Sequence, residues 1–322
     1  MARALRITAW ICGTVLLACA ALAVLTLLAA NTAGGRAYLE RLTARLTAGM
    51  VQVSGLAGTL PAAIELERLE LRDPHGVWLV AEHVSLRWSP AGLLRRHIRI
   101  SNLHAARVDL ERLPDYPASG APEGPARESQ LPYIEAQQLG VDVLEVGPEL
   151  AGRRAVLTLQ ASVRLNSLED AAMTLVARRV DDERDRYQLR LQFDPLLVNA
   201  SLAIDEQSGG VLQNLLHLPE LGALHAAGEL RGPRAAAQLQ VRARAGALES
   251  SAQGTLDLAA RTSSLDIAAH APAMSPRSDL AWQRADLIGR LRGPWSNPDA
   301  DGVLLVEELA LPGSVHIPKL RA

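Results

Sequence analysis

The chain has 322 residues and a formal net charge of −2 at pH 7. Aromatic residues make up only 3% of it and phenylalanine occurs once, so any core or binding surface must consist mainly of Leu, Val, Ile and Ala. Arginines and acidic residues are spread along the whole length instead of forming blocks, and we therefore expect no nucleic-acid partner.

The N-terminal segment from Ile7 to Ala30 is apolar and uncharged. As a helix it would measure about 36 Å, which is enough to cross a bilayer. Arg3 and Arg6 precede it, so the positive-inside rule predicts that residues 1–6 form a cytoplasmic tail. The sequence thus predicts a single-pass membrane protein with a transmembrane helix at 7–30 and a body on the far side of that membrane from the cytoplasm.

Two other processing routes would also fit an N-terminal apolar segment. A signal peptide could be cleaved near Ala29 and Ala30, although the apolar run is longer than a usual signal core. Lipoprotein processing at Cys19 is the other route, but apolar sequence continues past that residue. Cys12 and Cys19 are the only cysteines, so the body has no disulfide framework.

A short amphipathic helix or linker is predicted at residues 31–49. Between residues 37 and 48, Leu39, Leu42 and Leu46 share one helical face, and Gly49 can end the helix. The segment could lie at the membrane interface, or it could be a plain helical linker, because three turns carry little information.

Beyond Val51 the apolar residues recur with a period of two, which is typical of strands with one apolar and one polar face. We predict a first β module at 50–113, a Pro-rich loop at 114–132 and a repeated β-strand groove at 133–322. Gly-Pro and Gly-Gly turn signals separate the strands, and Gly228–Pro233 returns in similar form as Gly289–Pro294. The predicted fold is mainly β, an elongated antiparallel meander curled around an apolar groove.

The apolar positions of these alternating segments form our candidate lining of the groove. They are Ile64, Leu66, Val84, Leu86, Leu157, Leu159, Val163, Leu165, Leu189, Leu191, Phe193, Leu202, Ile204, Leu239, Val241, Leu256, Leu258, Leu265, Ile267, Leu304 and Val306.

The sequence contains no motif that predicts catalysis, a cofactor or a metal site. His97 and His104 are the closest histidine pair and have no acidic residue nearby in the sequence to orient them. Residues 297–302 with Glu308 have nearly the spacing of a calcium-binding loop, but no helical pattern flanks them, so we interpret them as a turn. The charged run 181–186 is interpreted as a solvated hairpin tip.

A continuous aliphatic face must be covered by something. A sandwich or a closed barrel would cover it without any ligand. Membrane anchoring favours lipid instead, because transferring an acyl chain of about sixteen carbons into water costs on the order of 12 kcal/mol, at ~0.8 kcal/mol per methylene. An aliphatic groove would remove most of that cost.

Several ordered motifs resemble the start of the TamB family, the inner-membrane subunit of the translocation and assembly module. They are Asn31–Gly34, Val53–Leu60, Leu69–Asp73, Gly76–Leu79, Leu86–Pro90, Leu93 with Leu94, and the strand-turn repeat from Gly289 to Leu304. The resemblance places the chain in the AsmA-like group of bridge-type lipid transporters and implies a β-taco fold.

By this resemblance the protein would carry phospholipid between the inner and outer membranes and would have a role in outer-membrane assembly. The implied partners are phospholipid, the inner membrane, and TamA or another outer-membrane barrel protein. TamB proteins are several times longer and contact TamA through a C-terminal domain, so the chain resembles an N-terminal portion. The alternative function is a scaffold or chaperone for outer-membrane β-barrel proteins or autotransporters that conducts no lipid.

Overall fold

The computed structural model describes residues 31–115, 133–167, 169–181, 184–219, 221–277, 280–311 and 315–321. The predicted transmembrane helix at 7–30 and most of the Pro-rich loop lie outside these ranges. Within them, no helix has the length and apolar character needed to cross a bilayer.

Strands dominate the described residues, and three short helices accompany them. The strands are β1 (Val51–Ser54), β2 (Ala63–Asp73), β3 (Gly76–Ser89), β4 (His97–Leu110), β5 (Tyr133–Val146), β6 (Ala155–Leu165), β7 (Ala171–Arg179), β8 (Arg186–Phe193), β9 (Leu197–Glu206), β10 (Leu224–Pro233), β11 (Ala237–Ala245), β12 (Leu248–Asp257), β13 (Thr262–Ala271), β14 (Met274–Arg277), β15 (Leu280–Trp282), β16 (Arg284–Pro294), β17 (Asp299–Leu311) and β18 (Val315–Arg321). The helices are α1 (Ala33–Leu46), α2 (Pro148–Ala151) and α3 (Val211–Leu215), and a 3₁₀ turn spans Pro90–Arg95.

The strands form one open, curled sheet in which chain neighbours pair with each other. The small β14–β15 hairpin interrupts this order, because β13 pairs directly with β16. Strand stacking at ~4.8 Å per strand gives the sheet a length of about 70 Å. No second sheet covers it within the described residues, so the predicted mainly β fold is confirmed as a single curled layer.

The prediction of a wholly antiparallel meander is wrong at one junction. β4 and β5 pair in parallel, with His97 opposite Tyr133 and Leu110 opposite Val146. A long stretch of sequence, residues 111–132, separates Leu110 from Tyr133. A connection of this length, unlike a tight hairpin turn, permits a parallel pairing.

The internal repeat identified in the sequence corresponds to two equivalent strand ends. Gly228–Pro233 closes β10 and Gly289–Pro294 closes β16. Gly232 and Gly293 occupy positive φ angles of 124° and 100° just before the turn. Glycine is favoured at both positions because a residue with a side chain would be strained in this backbone conformation.

Helix α1 lies against the loop that joins β1 to β2. The Arg36 guanidinium donates to the carbonyl of Gly58 at 2.9 Å, and the Glu40 carboxylate accepts from the Leu56 N–H at 2.8 Å. The predicted helix is therefore present, but it does not have the predicted apolar face in full. Leu46 is 78% exposed because the helix ends there and turns into β1.

Candidate functional site: the aliphatic face of the sheet

Register divides the sheet into two chemically different faces. Residues paired across neighbouring strands point to the same side, and successive residues in a strand point to opposite sides. In β11, Leu239 and Val241 are half-buried while Gln238, Gln240 and Arg242 are exposed. We call the side of Leu239 the aliphatic face and the side of Gln240 the polar face.

The predicted lining residues lie on the aliphatic face, with one exception. Leu258 follows the end of β12 in a turn, where its N–H donates to the carbonyl of Arg234 at 2.7 Å. The remainder share a face because the short turns preserve the period of two from strand to strand. Whether they contact lipid stays a prediction.

A central row of paired residues crosses the aliphatic face from β2 to β17 without a polar side chain. Its members are Ile64, Leu86, Leu103, Leu139, Ala161, Leu175, Leu189, Leu202, Gly228, Val241, Ala252, Ile267, Gly289 and Gly302. At ~4.8 Å per strand the row is about 60 Å long. A row of this length without a polar side chain is unusual, because apolar residues on the surface of ordinary soluble proteins are scattered.

The aliphatic side chains are mostly half-buried, so they are neither sealed under a second layer nor fully exposed. Polar-face residues on the same strands are mostly exposed, for example Glu229 and Arg231 on β10. The aliphatic face is thus the sheltered side of an open groove. A closed sandwich, which would also explain the alternation, is absent from the described part of the chain.

One stretch of the groove is covered by a roof made of α2 and α3. Ala151 of α2 is 1% exposed and joins a buried cluster with Val146, Ala155 and Leu157, and Val211 of α3 packs against it. We call the end of the strands that α2 and α3 cover the helical rim. The predicted lining residue Leu157 is only 4% exposed because it lies in this cluster.

A buried carboxylate holds α3 in place at the helical rim. Glu206 is fully buried on the aliphatic face, opposite Leu224. It accepts hydrogen bonds from the Tyr187 hydroxyl at 2.5 Å and from the N–H groups of Leu212 and Gln213 at 2.6 and 3.1 Å. Burial and the nearby Glu206 carboxylate raise the pKa of Tyr187, so the phenol stays protonated and donates.

A second buried polar group lies beside the roof and corrects the prediction for residues 181–186. The described part of this segment is not fully solvated, because Asp185 is 0% exposed. The Arg179 guanidinium, 3% exposed, donates to Asp185 at 3.1 Å and to Asp181 at 2.7 Å. The Arg179 hydrogen bonds hold the pKa of Asp181 below its usual value.

Sequence reasoning missed these groups, although a signal was present. Arg179 continues the apolar phase of Met173, Leu175 and Ala177 in β7, and Glu206 continues the apolar phase of β9. A charge at an apolar-phase position indicates a buried, paired group. From the sequence, only the run 181–186, which contains Asp185, is interpreted, and it is taken as solvated; no prediction is made for Arg179 or Glu206.

Two smaller interpretations can be compared with the structure. His104 does have an acidic neighbour, since its Nε2 lies 3.0 Å from Asp142 Oδ1 across the parallel β4–β5 pair. Of the calcium-loop look-alike, residues 297 and 298 lie between β16 and β17 as the predicted turn, whereas residues 299–302 and Glu308 belong to β17, where the prediction of a turn is wrong. The described residues contain no cluster of His, Cys, Asp or Glu that could hold a metal ion.

Comparison with protein families adds an independent finding. Residues 16–306 match the family described as YdbH-like, intermembrane phospholipid transport protein YdbH. The chain belongs to the YdbH-like family. The YdbH-like family is in the AsmA-like bridge-type lipid transfer group, so the predicted group is confirmed, while the closer resemblance to TamB is not. Searches of curated proteins and of solved structures gave no significant match.

Membership of the YdbH-like family connects the groove with a cargo. The family description names intermembrane phospholipid transport, and the structure has an open β-sheet groove with an aliphatic face. The YdbH-like match begins at residue 16, inside the predicted transmembrane segment. Phospholipid is therefore the cargo class that agrees with both the family and the groove.

Proposed function

We propose that the aliphatic face holds phospholipid acyl chains while they move along the sheet between two membranes. The observation that supports this function is the central row, which offers hydrocarbon contact for about 60 Å at ~4.8 Å per strand. A lipid moving along it would exchange one set of aliphatic contacts for the next. Contact with the aliphatic face stabilises the acyl chains by ~0.8 kcal/mol per buried methylene, relative to their exposure to water.

The polar headgroup would remain at the open side of the groove. A zwitterionic or anionic headgroup loses much of its hydration energy in a hydrocarbon environment, whereas the open side lets it stay in water. Aliphatic walls with few aromatic rings bind chains without a fixed position, which suits movement along the groove. At the roof, α2 and α3 cover one end of the strands on the aliphatic face, so acyl chains would pass along the uncovered part of that same face.

Photo-crosslinking with matched residues tests this function. A photoreactive residue placed at Leu191 or Leu239 on the aliphatic face should give phospholipid adducts in membranes. The same residue at Gln192 or Gln240, one position away on the polar face, should give few. Mass spectrometry of the adducts identifies the lipid. Equal labelling of both faces, or no lipid adduct at any of the four positions, would contradict the proposal.

We further propose that the apolar segment at residues 7–30 anchors the protein in the inner membrane with the body in the periplasm. The family's intermembrane role supports such an attachment. A protease added to cells tests this. The body should be protected in intact cells and should be digested once the outer membrane is opened. A body digested only after the inner membrane is broken would contradict it.

A role in outer-membrane assembly through TamA, which the resemblance to TamB implied, remains a separate proposal. Crosslinks from the full chain to TamA in cells would support it. If no such crosslinks form while phospholipid adducts are still found at Leu239, the role in outer-membrane assembly is contradicted and the lipid-transport proposal stands.

A further inference from the structure

Two clefts are lined mainly by residues of the polar face, although Ile204 in one and Val163 and Leu191 in the other belong to the aliphatic face. The larger has a volume of about 910 Å³ and crosses β9 to β16. Its charges neutralise each other: His225 lies 3.0 Å from Asp205, His270 lies 2.6 Å from Asp286, and Arg244 pairs with Glu249. This balance leaves little charge for a ligand.

The smaller cleft has a different charge balance. It has a volume of about 640 Å³, crosses β5 to β10, and is lined by three arginines, Arg164, Arg190 and Arg231, with Glu135 as the acidic residue. We call it the arginine cleft. Arg231 pairs with Glu229 at 3.2 Å, so part of its charge is already compensated.

Glu135 has little capacity left to neutralise the arginine cleft. Its carboxylate accepts from Gln137 at 3.0 Å, from the Tyr133 hydroxyl at 3.2 Å and from Arg99 at 3.0 Å. The Gln137 and Tyr133 hydrogen bonds and the charge of Arg99 lower the pKa of Glu135. The carboxylate is thus engaged by two residues of its own strand, Tyr133 and Gln137, and by Arg99 opposite it on β4.

Arg164 and Arg190 have no ion pair among the described residues. On both neighbouring strands Arg190 faces hydroxyl side chains, Thr174 of β7 and Ser201 of β9. Arg164 faces Ala172 on its β7 side and Glu135 on its β5 side, but no ion pair joins Arg164 to Glu135, whose carboxylate pairs with Arg99. Their guanidinium groups therefore remain able to bind an anionic ligand, and guanidinium binds carboxylate and phosphate in a bidentate geometry.

The cleft also offers neutral hydrogen-bonding groups beside its apolar lining residues. Ser162, Thr174, Ser201, Gln192 and Asn199 line it, and the Ser162 and Thr174 hydroxyls already lie 2.7 Å apart. Hydroxyls and amides on neighbouring strands repeat at ~4.8 Å. Such a lattice can donate to and accept from a ligand that carries many hydroxyl groups.

We propose that the arginine cleft binds an anionic polysaccharide, with Arg164 and Arg190 on its acidic groups and the hydroxyl and amide side chains on its sugar hydroxyls. A phospholipid headgroup fits less well, because the aliphatic face is on the other side of the sheet and the acyl chains would be left in water. Single-stranded nucleic acid also fits less well, because the cleft lining contains no aromatic side chain on which bases could stack.

Binding of polygalacturonate, a carboxylated polysaccharide, to the full chain tests the proposal. We expect saturable binding that weakens as salt rises, because exposed charges are screened. Arg164→Gln or Arg190→Gln should each weaken binding about tenfold, since a hydrogen bond to a charged group is lost. Arg290→Gln is the matched control, because Arg290 lies on the polar face outside the cleft and pairs with Asp266 at 2.9 Å.

Three comparison ligands separate the alternatives. Neutral dextran, phosphatidylglycerol vesicles and single-stranded DNA should each bind at least tenfold more weakly than polygalacturonate. Stronger binding of vesicles or DNA would overturn the proposal, as would no binding or equal loss in Arg290→Gln. Phospholipid that co-purifies with each variant is measured in parallel, and unchanged lipid in Arg164→Gln and Arg190→Gln keeps this test separate from the lipid groove.

Discussion

Replacing Glu206 with alanine should open the roof at the helical rim. The substitution removes the acceptor for the Tyr187 hydroxyl and for the N–H groups of Leu212 and Gln213. Each buried donor left without a partner costs about 1–3 kcal/mol. The closed roof should therefore lose about 3 kcal/mol or more, which raises the equilibrium constant for opening about a hundredfold.

Hydrogen exchange measured by mass spectrometry can detect this opening locally. A peptide covering residues 207–218 should lose protection about a hundredfold in Glu206→Ala, while peptides from β11 to β13 keep theirs, because local units open independently of the whole. Tyr187→Phe should have a smaller effect, about tenfold or less, since both N–H groups keep their acceptor. Glu229→Ala, on the exposed polar face, should leave this peptide unchanged.

Two results would refute this reasoning. Protection of residues 207–218 that stays within about threefold of the parent would show that Glu206 contributes under 1 kcal/mol to the closed roof. Loss of protection throughout the sheet would show that the roof is not a separate unit.

Three further predictions concern stability and binding. Leu157→Ala should lower the free energy of unfolding by about 2–5 kcal/mol in chemical denaturation, because it leaves a cavity in the cluster beneath the roof; a change under 1 kcal/mol would contradict this. Leu265→Asp should reduce co-purified phospholipid about tenfold, since an aliphatic contact is lost from the groove, whereas Ser264→Asp on the polar face should not. Folding lowers the pKa of Asp181 from 3.8 and the pKa of Glu135 from 4.5. Each ionised carboxylate therefore stabilises the folded state above its unfolded pKa. This stabilisation is lost as the pH falls through the folded pKa. The melting temperature should thus fall below about pH 4.5, and less steeply in the double variant Asp181→Asn, Glu135→Gln; parallel curves would contradict the assignment.

Much of the aliphatic face could be predicted because the signal is local. In β6 the alternation of Leu157, Leu159 and Val163 with polar residues determines which side each residue takes. Short turns then carry the same phase into the next strand, for example into β7 and β8. Leu258 was misplaced because it continues the alternation of β12 by one step after the strand has ended.

The parallel junction and the roof could not be predicted in this way. The parallel pairing of β4 with β5 joins strands that are far apart in the sequence, and no local pattern encodes it. Helices α2 and α3 contain only 4 and 5 residues, too few to show a helical period. The acidic neighbour of His104 was missed for the same reason, because Asp142 approaches it only through the parallel pairing.

The central row changes in side-chain size along the sheet. Leucine is frequent in it from β3 to β9, whereas Gly228, Gly289 and Gly302 occupy it in β10, β16 and β17. A glycine contributes no side-chain bulk, so the floor of the groove is recessed at these strands. A branched or bulky lipid would therefore have the least space in the leucine-rich half of the groove and more space at the strands that carry the glycines.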